Sequence, residues 1–143
     1  MSNYPWAPDD VLTAAALNAA IAGVPATTAS TVSNWLVAQR NPPTTLTDAA
    51  TITPDFSAAN NFAITLGGAR TLANPTNRAS GQAGQIVVVQ DGTGSRTLTY
   101  GSAWKFPAGT APTLSTAAGA VDILSYYCWD GTNIAISAAL NFS

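Results

Sequence analysis

Histidine and glutamate are missing from the 143 residues, cysteine occurs once, and only 8% of the side chains carry charge. The missing histidine removes Ser-His and Cys-His nucleophilic sites and histidine-ligated zinc together. With no glutamate, the only side-chain carboxylates are Asp9, Asp10, Asp48, Asp55, Asp91, Asp122 and Asp130. Glycoside cleavage by paired carboxylates would need two of these facing each other across a cleft, yet most sit beside turn residues. Cys128 stands alone, so it forms no intrachain disulfide, and no base in the sequence is placed to activate it. The expectation is a protein that is not an enzyme and uses no cofactor and no metal.

An ordinary soluble domain carries roughly 25% charged residues. Here the apolar fraction is a normal 47%, so uncharged polar residues have taken the place of the charges. A lone monomer coats itself in Lys, Arg, Glu and Asp, whereas a chain this poor in charge is expected to cover much of itself with partners. The net charge is −2, and Arg40, Arg70, Arg78, Arg96 and Lys105 are scattered, which argues against a nucleic-acid partner. Apolar stretches such as Ile86–Val89 fall far short of the roughly 20 residues that span a bilayer. The beginning of the chain lacks the basic start and apolar core of a signal peptide. No membrane insertion and synthesis inside the cell without export are therefore expected.

The text changes character at Pro42-Pro43. Before it, Thr13 can cap a helix that presents Leu17, Ala20, Ile21 and Val24 on one face, and Gly23 and Pro25 stop it. A second helix begins at Ser30 or Thr31, places Val32, Trp35 and Leu36 together, and ends by Asn41, because residues before proline avoid α geometry. Helices this short are marginal alone in water, so they need each other, sister subunits or a docking protein to pack against.

After residue 43 the pattern is strand, turn, strand. Ala50–Thr53, Phe62–Leu66 and Arg70–Leu72 are separated by Asn60-Asn61 and Gly67-Gly68. Gln85–Gln90 is apolar on both faces, which marks a core strand covered from two sides. Asp91-Gly92-Thr93-Gly94-Ser95 predicts a tight hairpin reversal into Arg96–Tyr100. Val121–Trp129 leads in the same way through Asp130-Gly131 into Asn133–Ser137. No fixed-period repeat is visible, so the expected fold is mainly β: a short α-helical segment over 1–43, then a jelly-roll-like β-sandwich over 44–143 in preference to a β-helix.

Asp91 and Asp130 precede glycines and read as turn formers. Asp122 falls inside an otherwise apolar strand, which leaves solvent exposure, pairing with an arginine such as Arg70 or Arg96, or a functional role. Tyr100, Trp104, Tyr126, Tyr127 and Trp129 could build a sugar-stacking platform or a core. Strand alternation puts Tyr127 and Trp129 on one face and Tyr126 and Cys128 on the other. Trp104, Tyr127 and Trp129 are the candidates for glycan contact.

Trp6 followed by Val11-Leu12-Thr13-Ala14-Ala15-Ala16-Leu17-Asn18 resembles the short leader of many phage tail-fibre and related appendage proteins, although Asp9-Asp10 and Ala16 depart from its usual pattern. A second resemblance covers most of Leu46–Ser143, through Asn74-Pro75-Thr76-Asn77, Gly81-Gln82-Ala83-Gly84, Val89–Arg96, Trp104-Lys105-Phe106 and Asn141-Phe142-Ser143. Together these look like the distal β module of tailed-bacteriophage structural proteins. The resemblance implies a homotrimeric virion protein, assembled in the host cytoplasm. Trp6, Val11, Leu12, Leu17 and Asn18 would hold it to a tail, collar, portal or capsid component, and Trp35, Leu36, Val87 and Val89 would pack the trimer. Its β domain would contact a host-surface glycan or serve as an adaptor for another fibre. A free carbohydrate-binding module, a head spike or decoration protein, and a cell-wall-degrading enzyme fragment are the alternatives.

Overall fold

A computed structural model describes residues 41–142. The two helices expected before Pro42, with Trp6, Val11, Leu12, Leu17, Asn18, Trp35 and Leu36, lie outside the described residues.

The described unit is almost entirely β. Its strands are β1 (Thr44–Thr45), β2 (Thr51–Ile52), β3 (Asn61–Leu66), β4 (Arg70–Leu72), β5 (Ala83–Gln90), β6 (Leu98–Tyr100), β7 (Trp104–Lys105), β8 (Val121–Cys128) and β9 (Ile134–Phe142), with one 3-10 turn at Pro107–Gly109. They form a six-stranded sheet ordered β1-β3-β5-β8-β9-β7 and a three-stranded sheet ordered β2-β4-β6. Strands β1, β3 and β5 run parallel in the large sheet, and β2, β4 and β6 run parallel in the small one. The chain thus winds three times, each coil laying one strand on each sheet. Then β8 pairs antiparallel with β5, and β9 antiparallel with β8.

This corrects the jelly-roll expectation, whose sheets would be antiparallel throughout. The coils are also unequal in length: one advances from Thr44 to Phe62, the next from Phe62 to Ile86. Unequal coils leave no period to read, so winding is invisible in the sequence.

Alternation decides which side chains enter the core. Phe62, Ile64 and Leu66 of β3, Ile86 and Val88 of β5, Leu124, Tyr126 and Cys128 of β8, and Ile134 and Ile136 of β9 are all buried. They meet Ile52 and Leu72 of the small sheet in a single apolar cluster. Phe56, from the loop before β3, stacks on Tyr126 at a centroid distance of 4.6 Å and on Phe62 at 5.9 Å. Burying one such ring is worth roughly 1.5–3 kcal/mol. Gly84 fits beneath this loop because it has no side chain: a Cβ there would collide with the Asn60 carbonyl.

The loop after β5 is an arch, which corrects the expected Asp91–Ser95 hairpin. Buried Gln90 accepts from the Arg96 backbone N–H at 2.8 Å and donates to the Arg96 carbonyl at 3.0 Å. Asp91 accepts from the N–H groups of Thr93 and Gly94 and forms an ion pair with Arg96 at 2.8 Å. Gly94, at φ 75°, packs on the backbone of Thr116 to Ala118, where a side chain would clash. These contacts turn the chain out of the large sheet, so β6 pairs with β4 and not with β5. The hairpin expected through Asp130-Gly131 does form, with Cys128 opposite Ile134.

Asp122 is 1% exposed and has no arginine partner. Its carboxylate accepts from the Ser115 N–H at 2.8 Å, the Ser115 hydroxyl at 2.6 Å and the Asn141 N–H at 2.9 Å. It ties the long loop before β8 to the bulge near the end of β9, where Asn141 adopts φ 62°.

Asp122→Ala leaves three inward-facing donors without an acceptor, and urea denaturation is expected to show a loss of about 3 kcal/mol. Asp122→Asn, which keeps an acceptor oxygen, is expected to lose less. Asp91 is lowered from 3.8 to about 2, first by the Arg96 guanidinium and then by the Gly94 N–H. A depressed carboxylate stabilises the fold above its unfolded value, and that stability fades as pH falls through the folded value. Denaturation midpoints of Asp91→Asn are therefore expected to change less than those of the parent as pH falls from 3.8 towards about 2.

Candidate functional site

The strand registers assign the outer face of the large sheet row by row. One row runs Thr65, Val89, Val121, Phe142, and the next Thr45, Ala63, Val87, Ile123, Ala139. A third runs Asn61, Gln85, Ser125, Ser137, and a fourth Ala83, Tyr127, Ala135, Lys105. These four rows contain a single charged residue, Lys105. The face divides along the strand direction into an aliphatic half and a half of hydroxyls, amides and aromatics. A sheet face left to water is ordinarily polar, so the aliphatic half is unusual. Val87, Val89, Val121 and Ile123 are half-buried there, while Phe142 is 48% exposed.

The second half holds a groove of about 550 Å³. Ala135 and Ser137 of β9 form its floor, with Ser125 opposite Ser137 on β8. Tyr127 and Trp129 flank the floor on one side, and Lys105, Phe106 and Pro107 on the other. Tyr127 is 50% exposed and Trp129 43%. The Lys105 ammonium donates to the Ser102 carbonyl at 2.8 Å, which leaves further N–H donors. No carboxylate lines the groove. Where β7 pairs with β9, that edge of the groove floor has its backbone groups already engaged.

The turn beside Trp129 is held internally. Asp130 accepts from the N–H groups of Thr132 and Asn133 and from the Asn133 side chain, and these donors hold its carboxyl below its ordinary value. Arg78 Nε donates to the Gly131 carbonyl at 3.2 Å, and Ser80 donates its hydroxyl to the Trp129 carbonyl at 2.9 Å.

The structure separates the residues that the sequence grouped. Tyr127 and Trp129 share the groove. Trp104 does not: it is 3% exposed, lies edge-on to Phe56 and Tyr126, and donates its indole N–H to the Ala73 carbonyl at 3.0 Å. Its ring therefore has no face for a glycan, which corrects its assignment as a contact residue. Tyr126 is likewise inside, donating to the Asn60 carbonyl at 2.7 Å, and burial pushes its hydroxyl up to about 12. Burial, then the nearby Asp122 charge, does the same to Tyr100. Val87 and Val89 stand on the outer face, away from the core.

Every aspartate of the described residues is engaged in hydrogen bonds that hold a turn, a loop or an arch. Asp48 pairs with Arg70 at 2.6 Å, and Asp55 accepts from Ser57 and Asn77. Among the described residues, no group of three or more Asp, Glu, Cys or His side chains could hold a metal ion. The sequence carries no signal that marks Lys105, Phe106, Ser125 and Ser137 as lining one groove. Ser125 and Ser137 carry the outward parity of their strands, but only the β8–β9 register brings them opposite each other.

Cys128 tests this arrangement, because it is 0% exposed between two outward-facing aromatics. A one-residue slip of β8 would turn every side chain to the opposite face. The native thiol is expected to resist Ellman's reagent and to react on denaturation. A thiol that reacts in the folded protein would mean that Tyr127 and Trp129 point inward.

No curated protein and no solved structure matches the chain. A family model described as "Putative phage tail fibre C-terminal domain" matches residues 52–134. The matched span runs from Ile52 of β2 to Ile134, the first residue of β9, and takes in β3 to β8, the arch after β5 and the groove lining apart from its β9 floor. Because the match covers more than half of the 143 residues, the chain belongs to this family of phage tail-fibre C-terminal domains.

Proposed function

We propose that this protein is a structural component of a tailed-phage virion, a short tail fibre whose β domain forms a homotrimer that meets the host surface or carries another fibre. The family match across residues 52–134 is the observation that carries this reading. The segment 1–43 holds the fibre to another virion protein through Trp6, Val11, Leu12, Leu17 and Asn18, and Trp35 and Leu36 pack it within the trimer.

The aliphatic half of the sheet face is the natural contact between copies. Val87, Val89, Val121 and Ile123 lie side by side in register with no charge among them, and centres of obligate interfaces are depleted of charge in the same way. Burial of such a face between subunits also accounts for the 8% charge. The role is mechanical: winding and sheet pairing make a stiff body, and no bond is made or broken.

Light scattering of the full chain is expected to give three times the mass of one chain. Replacing Val87 and Val89 together by glutamate places charge in the contact without touching the core, so the variant is expected to fall to the mass of one chain with unchanged far-ultraviolet circular dichroism. The full chain is also expected to bind purified particles lacking this fibre. A parent protein of single-chain mass overturns the trimer, and failure to bind such particles overturns the virion attachment.

A further inference from the structure

We propose that the groove between Trp129 and Phe106 binds an acidic saccharide, a chain of sugar rings bearing carboxylates. This inference rests on the host-contact reading above and names the ligand class at that surface.

Three observations favour a saccharide. First, Tyr127 and Trp129 stay about half exposed at the groove, where a smaller residue at either position would leave less apolar area in water. Flat aromatic faces match the C–H faces of pyranose rings, and such contacts desolvate apolar area on both partners. Second, the floor offers the Ser125 and Ser137 hydroxyls side by side, each able to donate and accept, which suits a ligand made of hydroxyls. Third, β7 has already taken the backbone groups of β9 at Ile134 and Ala135, so over that part of the floor a ligand meets side chains and not an open strand edge.

The sign of the charge follows from the lining. Lys105 stands at the rim, opposite Tyr127 in its row, and the groove has no carboxylate to oppose an anion. The nearest acidic side chain in sequence, Asp130, is turned into its own loop by three hydrogen bonds. The Arg78 guanidinium reaches the same loop at the Gly131 carbonyl, so a cation accompanies that carboxylate. Lys105 is the one charged side chain of the groove lining. The assignment is therefore stacking by Trp129 and Tyr127, hydroxyl recognition by Ser125 and Ser137, and pairing of Lys105 with a sugar carboxylate.

The test uses the full chain with an oligogalacturonate, its methyl-esterified form and a neutral dextran oligomer, read by calorimetry and by the side-chain resonances of Tyr127 and Trp129. The free acid is expected to bind and to weaken with added salt, with the ester and dextran weaker. Trp129→Ala is expected to weaken all three saccharides about tenfold, in keeping with the worth of a stacked ring. Lys105→Gln is expected to weaken only the acid, by about threefold to fivefold, as for an exposed ion pair. Both replacements are of outward-facing side chains, and unchanged circular dichroism and trimer mass confirm folding. Equal binding of acid, ester and dextran overturns the acidic assignment and leaves glycan contact standing. Absence of any saccharide effect on Tyr127 and Trp129, in a protein that still forms trimers and binds particles, overturns the groove as a glycan site without touching the fibre assignment.

Discussion

Strand β5 is the hinge between two kinds of pairing. It lies parallel to β3 along one edge and antiparallel to β8 along the other, and so joins β1 and β3 to the β8–β9 hairpin in one sheet. Its inward residues Ile86 and Val88 are 0% and 1% exposed, because strands on both sides and the small sheet all converge there. Parallel strands need crossover connections, and here the small sheet supplies them: each crossover deposits a strand that itself pairs with its predecessor. In the wound part, each turn of chain that adds a parallel strand to one sheet also adds one to the other.

That interdependence places unusual demands on buried polar groups. An arch must carry the chain from one sheet to the next without leaving backbone donors stranded, since an unpaired buried amide is costly. Gln90 and Asp91 discharge that task after β5 by holding the backbone of residues 93–96, and Asp122 does it for the loop before β8 and the bulge in β9. These side chains give the fold direction that hydrophobic burial, which is not directional, cannot supply. Charge is used in the same way: among the described residues, both ion pairs, Arg70 with Asp48 and Arg96 with Asp91, brace the passages beside β4 and β6.

The outer face of the large sheet has two chemically distinct halves over one continuous core. Strands are directional, so one end of each row stack can be aliphatic and the other aromatic and hydroxylic while the core beneath stays continuous. In the proposed function the aliphatic end meets another copy and the aromatic end a ligand, and the two do not compete for area. Small residues on β9, Ala135 and Ser137, create the depression between the rings. Two larger side chains there would have filled the groove.

Composition and alternation settled a good deal unaided. The β character of the chain after Pro43, the central strand through Ile86–Val89, the hairpin at Asp130-Gly131, and the opposite orientations of Tyr127 and Cys128 follow from an unbroken apolar run, period-two patterning and turn chemistry, which are local. The winding was not legible, because parallel pairing joins residues far apart and the unequal coils erase any repeat. The arch after β5 was misread as a hairpin: Asp-Gly-Thr-Gly text specifies that the chain turns, and only Gln90, Arg96 and the Thr116–Ala118 backbone decide in which direction. Trp104 could not be distinguished from Trp129 by type or by neighbours, and its burial depended on Phe56 arriving from another coil. Local physics thus chose the elements and their faces. Which strands became neighbours, and hence which side chains share the groove, was decided by contacts between coils that exist only once the chain is wound.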